Sequence, residues 1–233
     1  MQVKKNNDKK HLVILTGAGV SAESGLKTFR DSDGLWMGYN IDDVATFDGF
    51  NKNPKLVLDF YNMRRQEVAK ASPNDAHFGF AALEEKYDVS IITQNIDNLH
   101  ERAGSSKVLH LHGEIFKMCS SLNKEIVSDT LEDINIGNLA ADGSQLRPFI
   151  VWFGEPVPMI ETAIEIIKTA DVFVIAGTSL QVYPAAGLVD YLRYDVPRYL
   201  IDPKPPANYN SANIHLIKQT ATKGVKELIS LLS

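Results

Sequence analysis

The chain has 233 residues, 44% of them hydrophobic and 23% charged, with a formal net charge of -5. That size and balance suit one α/β domain with an insertion and a substantial core, and they argue against nucleic acid as a partner. No apolar run approaches membrane-spanning length, no signal-peptide pattern precedes His11, and the single cysteine, Cys119, excludes an internal disulfide framework, so a cytoplasmic protein with no membrane partner is expected.

Lysines at 4, 5, 9 and 10 form a basic tail, read as a frayed terminus. The first strand runs from Leu12 into Gly17-Ala18-Gly19, and Ala22 stands in third place. This G-x-G-x-x-G/A form lets backbone amides approach a pyrophosphate at a helix N-terminus, although by itself the pattern is weak. After Arg30, D-S-D-G-L-W is turn-rich, as a loop closing over a cofactor or a plain connection would be. Pro54 to about Ala71 reads as an amphipathic helix with proline at its start. Another helix begins at Pro73-Asn74-Asp75 and runs through Leu83, followed by a strand from Tyr87 to Ile92.

That strand ends at Gln94, Asn95, Ile96 and Asp97, where an open α/β sheet presents its ligand crevice. Asp97 can cap a helix to about Ala103, with Gly104 as its stop. A strand from Val108 to Leu111 ends at His112-Gly113, and His110 alternates to its opposite face in a structural role. From Glu114 to Gln145 the sequence is polar and irregular, with scattered Ile115, Phe116, Leu122, Ile126, Leu131, Ile134 and Leu139. It reads as an inserted module with a small core of its own.

The βα rhythm then returns: Pro148 to Phe153 extended, Met159 to Thr169 helical, and a buried strand from Val172 to Ala176 ending in Gly177-Thr178-Ser179. Pro184 to Tyr194 reads as a helix, Arg198 to Ile201 as a strand closed by Asp202, Ile214 to Ile217 as a strand, and Thr222 to Leu232 as the last helix. The fold class expected is α/β, a Rossmann-like doubly wound parallel sheet with a small inserted domain. The boundaries are 1–34, 72–113 and 148–233 for the larger part, and 35–71 with 114–147 for the smaller.

The combination T-G-A-G-V-S-A-E-S-G, T-Q-N-I-D-N-L-H, L-H-G-E, F-G-E and G-T-S resembles the sirtuin family of NAD-dependent protein-lysine deacylases. The resemblance runs from about His11 to the C-terminus and thins between Lys117 and Leu146. It implies that Asn95 and Asp97 hold the nicotinamide carboxamide and that His112 draws a proton from the ribose hydroxyls, a step that suits an imidazole because its unperturbed pKa lies near neutrality. Phe29 would shield the reacting face and Arg30 meet the ribose-phosphate side. Gly17, Ala18, Gly19, Ser21, Ala22, Gln94, Ile96, Gly177, Thr178, Ser179, Asp202 and Ala221 complete the expected NAD contacts. The family usually has Asn where Leu200 stands. The products implied are free lysine, nicotinamide and O-acyl-ADP-ribose. A mono-ADP-ribosyltransferase or a non-catalytic NAD-sensing module is the alternative, the second opposed by intact His112 and Asn95.

Val151 to Glu155 matches the segment that takes a substrate peptide as an added strand, through Val151, Phe153, Gly154 and Glu155, with Trp152 as core. Sirtuins typically hold a structural zinc with two cysteine pairs in the inserted module. Only Cys119 stands there, so no zinc is expected. On a helical wheel from Pro54, Arg64 falls inside the apolar arc, away from Asn62 and Gln66 on the solvated side. It either pairs with Glu67 or joins Tyr61 in facing the acyl end of a substrate; the second reading is the stronger. Tyr-x-x-Arg, with small Ala45, resembles the motif of desuccinylase-type sirtuins, which implies succinyl- and malonyl-lysine as substrates. A guanidinium and a phenol can together bind a carboxylate.

Overall fold

The structure, a computed structural model, describes residues 9–27, 35–36, 38–205 and 214–232. Its strands are β1 (His11–Thr16), β2 (Leu35–Trp36), β3 (Tyr39–Asn40), β4 (Asp88–Thr93), β5 (Val108–His110), β6 (Gly113–Ser120), β7 (Val127–Asp129), β8 (Leu146–Ile150), β9 (Val172–Ala176), β10 (Arg198–Ile201) and β11 (Ile214–Ile217). Its α-helices are α1 (Ile41–Val44), α2 (Phe47–Lys52), α3 (Pro54–Lys70), α4 (Asp75–Ala82), α5 (Leu99–Arg102), α6 (Ile160–Lys168) and α7 (Ala221–Leu231).

Six strands form one parallel sheet in the order β11-β10-β9-β1-β4-β5. A parallel sheet is covered on both faces, and β1, β4 and β9 are accordingly apolar runs buried almost throughout. Successive side chains alternate between faces. Leu12, Ile14 and Val174 meet Phe80 of α4 with Val225 and Leu228 of α7. Val13, Leu15 and Phe173 meet Ile167 of α6 and Leu188. From β1 the chain builds β4 and β5 on one side, then returns to add β9, β10 and β11 on the other. The strand ends of β1 and β9 therefore flank the switch point where doubly wound sheets bind ligands. Between β9 and β10 the expected helix is a 3-10 segment, Ala185–Tyr191, which Gly187 in its middle disfavours as α-helix.

A second layer stands over this sheet: helices α1 to α3 and an antiparallel sheet ordered β7-β6-β8. Here two expectations are corrected. The stretch expected to be irregular contains β6, eight residues long. A register irregularity between Gly113 and Met118 breaks its two-residue alternation, which hides it from a periodicity reading. Nor does the module have a core of its own. Leu122 and Leu131 are each 84% exposed and Leu139 is 59% exposed. Ile115 and Ile134 instead join Val57, Phe60 and Val68 of α3.

Helix α3 also reaches the module through polar groups. Asn62 Nδ2 donates to the Ile134 carbonyl and Asn62 Oδ1 accepts from the Ile134 amide, both at 2.9 Å. Arg65 donates from Nε to the Ile115 carbonyl at 2.9 Å and from Nη1 to Asn62 Oδ1 at 2.8 Å and the Glu132 carbonyl at 3.2 Å. Asn62, expected on the solvated side, is thus buried, because α3 is covered on two faces instead of one. Ser120, Asp142 and Ser144 knot the far end of the module through hydroxyl contacts of 2.6–2.7 Å. Among the described residues no group of three His, Cys, Asp or Glu side chains is placed to hold a metal.

Asn62→Ala strands both polar groups of Ile134 in a buried place. It is expected to cost about 1–3 kcal/mol in urea unfolding, while a chelator leaves the midpoint of the parent protein unchanged. One zinc per chain in elemental analysis, or unfolding on chelation, would contradict a module held by these contacts alone.

Candidate active site

The loops that leave β1 and β9 cross with backbone against backbone. The Gly17 amide donates to the Ala176 carbonyl at 3.1 Å and the Gly19 amide to the Gly177 carbonyl at 2.8 Å. A Cβ on Gly17 would stand 2.7 Å from Thr178 Cβ, and one on Gly19 would stand 2.8 Å from Gly177 Cα. Gly177 has φ +60, and a Cβ there would lie 2.4 Å from the Val20 amide nitrogen. The glycine pattern is therefore a packing requirement before it is a binding motif. After Gly17 the expected α-helix is replaced by two 3-10 turns, Ala18–Val20 and Ala22–Ser24. Asn74 explains part of this, since its Nδ2 takes the Val20 carbonyl at 2.9 Å that a continuing helix would use. Any phosphate here meets turn amides, without the macrodipole of a full helix.

At the end of β4 the side chains converge. Ser21 Oγ donates to Asp97 Oδ2 at 3.0 Å and accepts from Asn95 Nδ2 at 3.1 Å. Asp97 Oδ1 accepts the Leu99 amide at 3.1 Å, but the N-cap of the one-turn α5 is Asn98, so Asp97 holds the first helical amide from one residue further out than expected; Gly104 follows at φ +103. Burial raises the Asp97 pKa against the lowering effect of the Leu99 amide and Ser21 hydroxyl. Beneath lie His77 and His100, rings 4.9 Å apart and both more than 98% buried. Burial takes the His77 pKa down to about 4 and pushes His100 well below its ordinary value. The sequence assigns this neutral pair no role: His100 closes T-Q-N-I-D-N-L-H, but His77 lies outside every motif and meets it only from below the site.

The histidines of L-H-L-H-G divide the work. His112 Nδ1 lies 3.0 Å from the Gln94 carbonyl, which can only accept, so Nδ1 carries the proton and Nε2 keeps its lone pair. Burial lowers the His112 pKa, and the Gln94 carbonyl opposes the shift. His110 spans the Asn95 carbonyl at 3.0 Å and Glu101 at 2.7 Å. Burial alone would lower its pKa, but Glu101 outweighs that and raises it. The two histidines thus grip consecutive carbonyls of the Gln94-Asn95 turn. Gln94 Nε2 reaches across to Thr178 Oγ1 at 2.9 Å, joining the β4 and β9 loops.

One cleft of about 600 Å³ runs over these groups. Its walls include Gly17, Ala18, Gly19, Ser21, Ala22, Gln94, Asn95, Ile96, Asp97, His112, Gly177, Thr178, Ser179, Asp202 and Ala221. They also include Ala45, Tyr61, Arg64, Val151, Phe153, Gly154 and Glu155. Phe29 and Arg30 lie outside the described residues. Leu200 points into the core with Val13 and Phe173, while Asp202, two residues on, reaches the cleft. Thr220 and Tyr183, which carry no motif signal, line it too. The Thr220 hydroxyl is buried with no hydrogen-bond partner among the described residues. Side-chain-free glycine loops, an orphan hydroxyl and the Asp202 carboxylate are features that fit a dinucleotide.

At the other end, Arg64 is buried and its Nη1 meets Glu67 Oε2 at 2.8 Å, so the ion pair considered as the alternative is formed while Arg64 still lines the cleft. Tyr61 is 1% exposed, and burial pushes its phenol pKa up. The segment after β8 is held by Val151 N–H to His112 O and Phe153 N–H to Ala45 O, both 2.9 Å. The Glu155 carboxylate is engaged by Arg147, Lys124 and the Trp152 amide.

The family description "Sir2 family" matches residues 17–184. A protein of Bacteroides thetaiotaomicron named NAD-dependent protein deacylase is 53% identical over 230 residues, covering 96% of this chain and 98% of its own. One of Helicobacter pylori with the same name is 52% identical over 223 residues, covering 96% and 97%. Among solved structures, a Sir2 homologue in complex with NAD superposes with a TM-score of 0.84 at 38% identity, covering 97% of this chain and 92% of the other. Sir2 bound to acetylated peptide gives 0.79 at 30%, covering 97% and 94%. With the glycine crossing, the Gln94–Asp97 turn and His112 inside the matched span, the chain belongs to the Sir2 family.

Proposed function

We infer that this chain is an NAD-dependent protein-lysine deacylase that removes succinyl and malonyl groups, and acetyl groups as well, from lysine side chains of proteins. The observation that carries the reading is continuity: the cleft that holds His112 and the glycine crossing also holds Arg64, Tyr61 and Ala45. Relatives named NAD-dependent protein deacylase at about half identity over nearly the whole chain support the activity itself.

In this reading the larger part of the chain (1–34, 72–113 and 148–233) binds the dinucleotide, and the smaller (35–71 and 114–147) brings the acyl clamp. Bound NAD supplies an ADP-ribosyl electrophile with nicotinamide as leaving group. The Gly17–Gly19 and Gly177–Ser179 turns approach the phosphates, Asp202 and Ala221 flank the adenosine side, and Asn95 with Asp97 holds the carboxamide. His112 Nε2, unprotonated because Nδ1 is committed to Gln94, accepts a ribose hydroxyl proton. The amides of Val151, Trp152, Phe153 and Glu155 are already engaged, so an added peptide strand pairs with the remaining carbonyls and the Gly154 amide. A guanidinium has five N–H donors, and the Glu67 contact is on Nη1. The Glu67 ion pair therefore does not by itself bar Arg64, which lines the cleft, from meeting an acyl carboxylate.

Three outcomes test the reading. Arg64→Met is expected to lower kcat/KM on succinyl-lysine peptide by about 2 kcal/mol or more, far beyond its effect on acetyl-lysine; equal loss on both makes Arg64 structural. His112→Ala is expected to abolish O-acyl-ADP-ribose in mass spectrometry of the products. ADP-ribose left on protein by the parent enzyme would instead indicate a transferase. Because the base works only when neutral, activity falls as pH drops through the His112 pKa. Burial lowers that pKa, so the acid limb of kcat/KM is expected below about 6.5, the unperturbed imidazole value; a limb above it rejects His112 as the base.

A further inference from the structure

Trp152 has the sequence signature of core and is 2% exposed, yet its indole is polar in effect. Its Nε1–H meets the Tyr61 hydroxyl oxygen at 3.1 Å. An indole nitrogen can only donate, so this contact has one sense. The phenol oxygen accepts, and the phenol hydrogen must point away from Trp152. Burial keeps that hydrogen in place by raising the phenol pKa.

The indole is itself clamped. The Arg147 guanidinium sits 3.3 Å above the centroid of the Trp152 ring. Arg147 is held by Glu155 Oε1 at 2.8 Å, Glu155 Oε2 at 3.2 Å and the Ile150 carbonyl at 2.8 Å. Phe50 packs against the same indole, centroids 5.2 Å apart. A cation on the π face draws on ring electron density and sharpens the N–H as a donor. Glu155, which the sequence placed among the substrate contacts, serves here to hold Arg147 and the Trp152 amide.

We propose that Trp152 is a positioning residue for acyl selection: its Nε1–H fixes the Tyr61 hydroxyl as a hydrogen-bond donor toward an acyl carboxylate held by Arg64. The proposal rests on the acidic-acyl reading of the cleft. Without the indole N–H the phenol O–H is no longer held in its donating rotamer, so an acyl carboxylate has to order it on binding and is held less tightly. A neutral acetyl group carries no such charge and is far less sensitive to the rotation.

The test measures kcat and KM on otherwise identical succinyl-lysine and acetyl-lysine peptides. The variants are Trp152→Phe, Tyr61→Phe, their combination, and Trp152→3-benzothienylalanine, which replaces the indole N–H by sulfur at nearly constant shape. Expected is a rise in succinyl KM of about tenfold for the sulfur isostere, as the loss of one charge-assisted hydrogen bond gives, with a smaller change on acetyl peptide. The double variant is expected to be no worse than Tyr61→Phe, because the two act through one hydroxyl. If the isostere leaves the succinyl-to-acetyl ratio of the parent enzyme unchanged, or the two phenylalanine effects add, Trp152 is packing and the proposal fails. If the parent enzyme has no acidic-acyl activity, the specificity reading fails and takes this proposal with it. A misfolded Trp152→Phe leaves the isostere to decide.

Discussion

The site depends on a steric constraint at the switch point of the sheet. Gly17, Gly19 and Gly177 let two loops touch through their backbones, and a Cβ on any of the three would come within 2.9 Å of another residue's backbone or β-carbon. Close approach brings the Thr178 hydroxyl within reach of Gln94, which leaves the end of β4. Three loops from three strands are thereby locked together before any ligand binds. Preorganisation of this kind leaves bound substrate little ordering entropy to supply.

Above that crossing lies a buried polar network around Ser21, Asn95 and Asp97. Burying such groups is costly unless they satisfy one another, and here each does. The neutral pair His77 and His100 underneath adds bulk and hydrogen-bonding capacity without charge. His110 and His112 then fix the Gln94-Asn95 turn through its carbonyls. The imidazole with its lone pair open to the cleft is the one whose other nitrogen holds Gln94.

Helix α3 makes the second layer and the cleft interdependent. One side carries Asn62 and Arg65 into the inserted module, and another carries Tyr61 and Arg64 to the cleft. The module borrows its core and its polar anchors from the helix that also forms the acyl end. A rigid seat for Arg64 follows, since the helix cannot shift toward the cleft without breaking the contacts at Ile115 and Ile134.

Local pattern sufficed for the parallel sheet, because strands buried on both faces must be apolar runs and helices between them must be amphipathic. It also placed Gly17, Asn95, His112 and Gly177 at or just past strand ends, while the roles proposed for them come from the family resemblance. Pattern failed where burial comes from distant partners. β6 was hidden by an irregular register, Asn62 was assigned to solvent because its partner Ile134 is 72 residues away, and the Ala18–Ser24 turns depend on Asn74. Glu155, Arg147 and Trp152 likewise form one cluster only in three dimensions. Periodicity records which face of an element is apolar; it holds no information on how many faces are covered or which side chains meet across the fold.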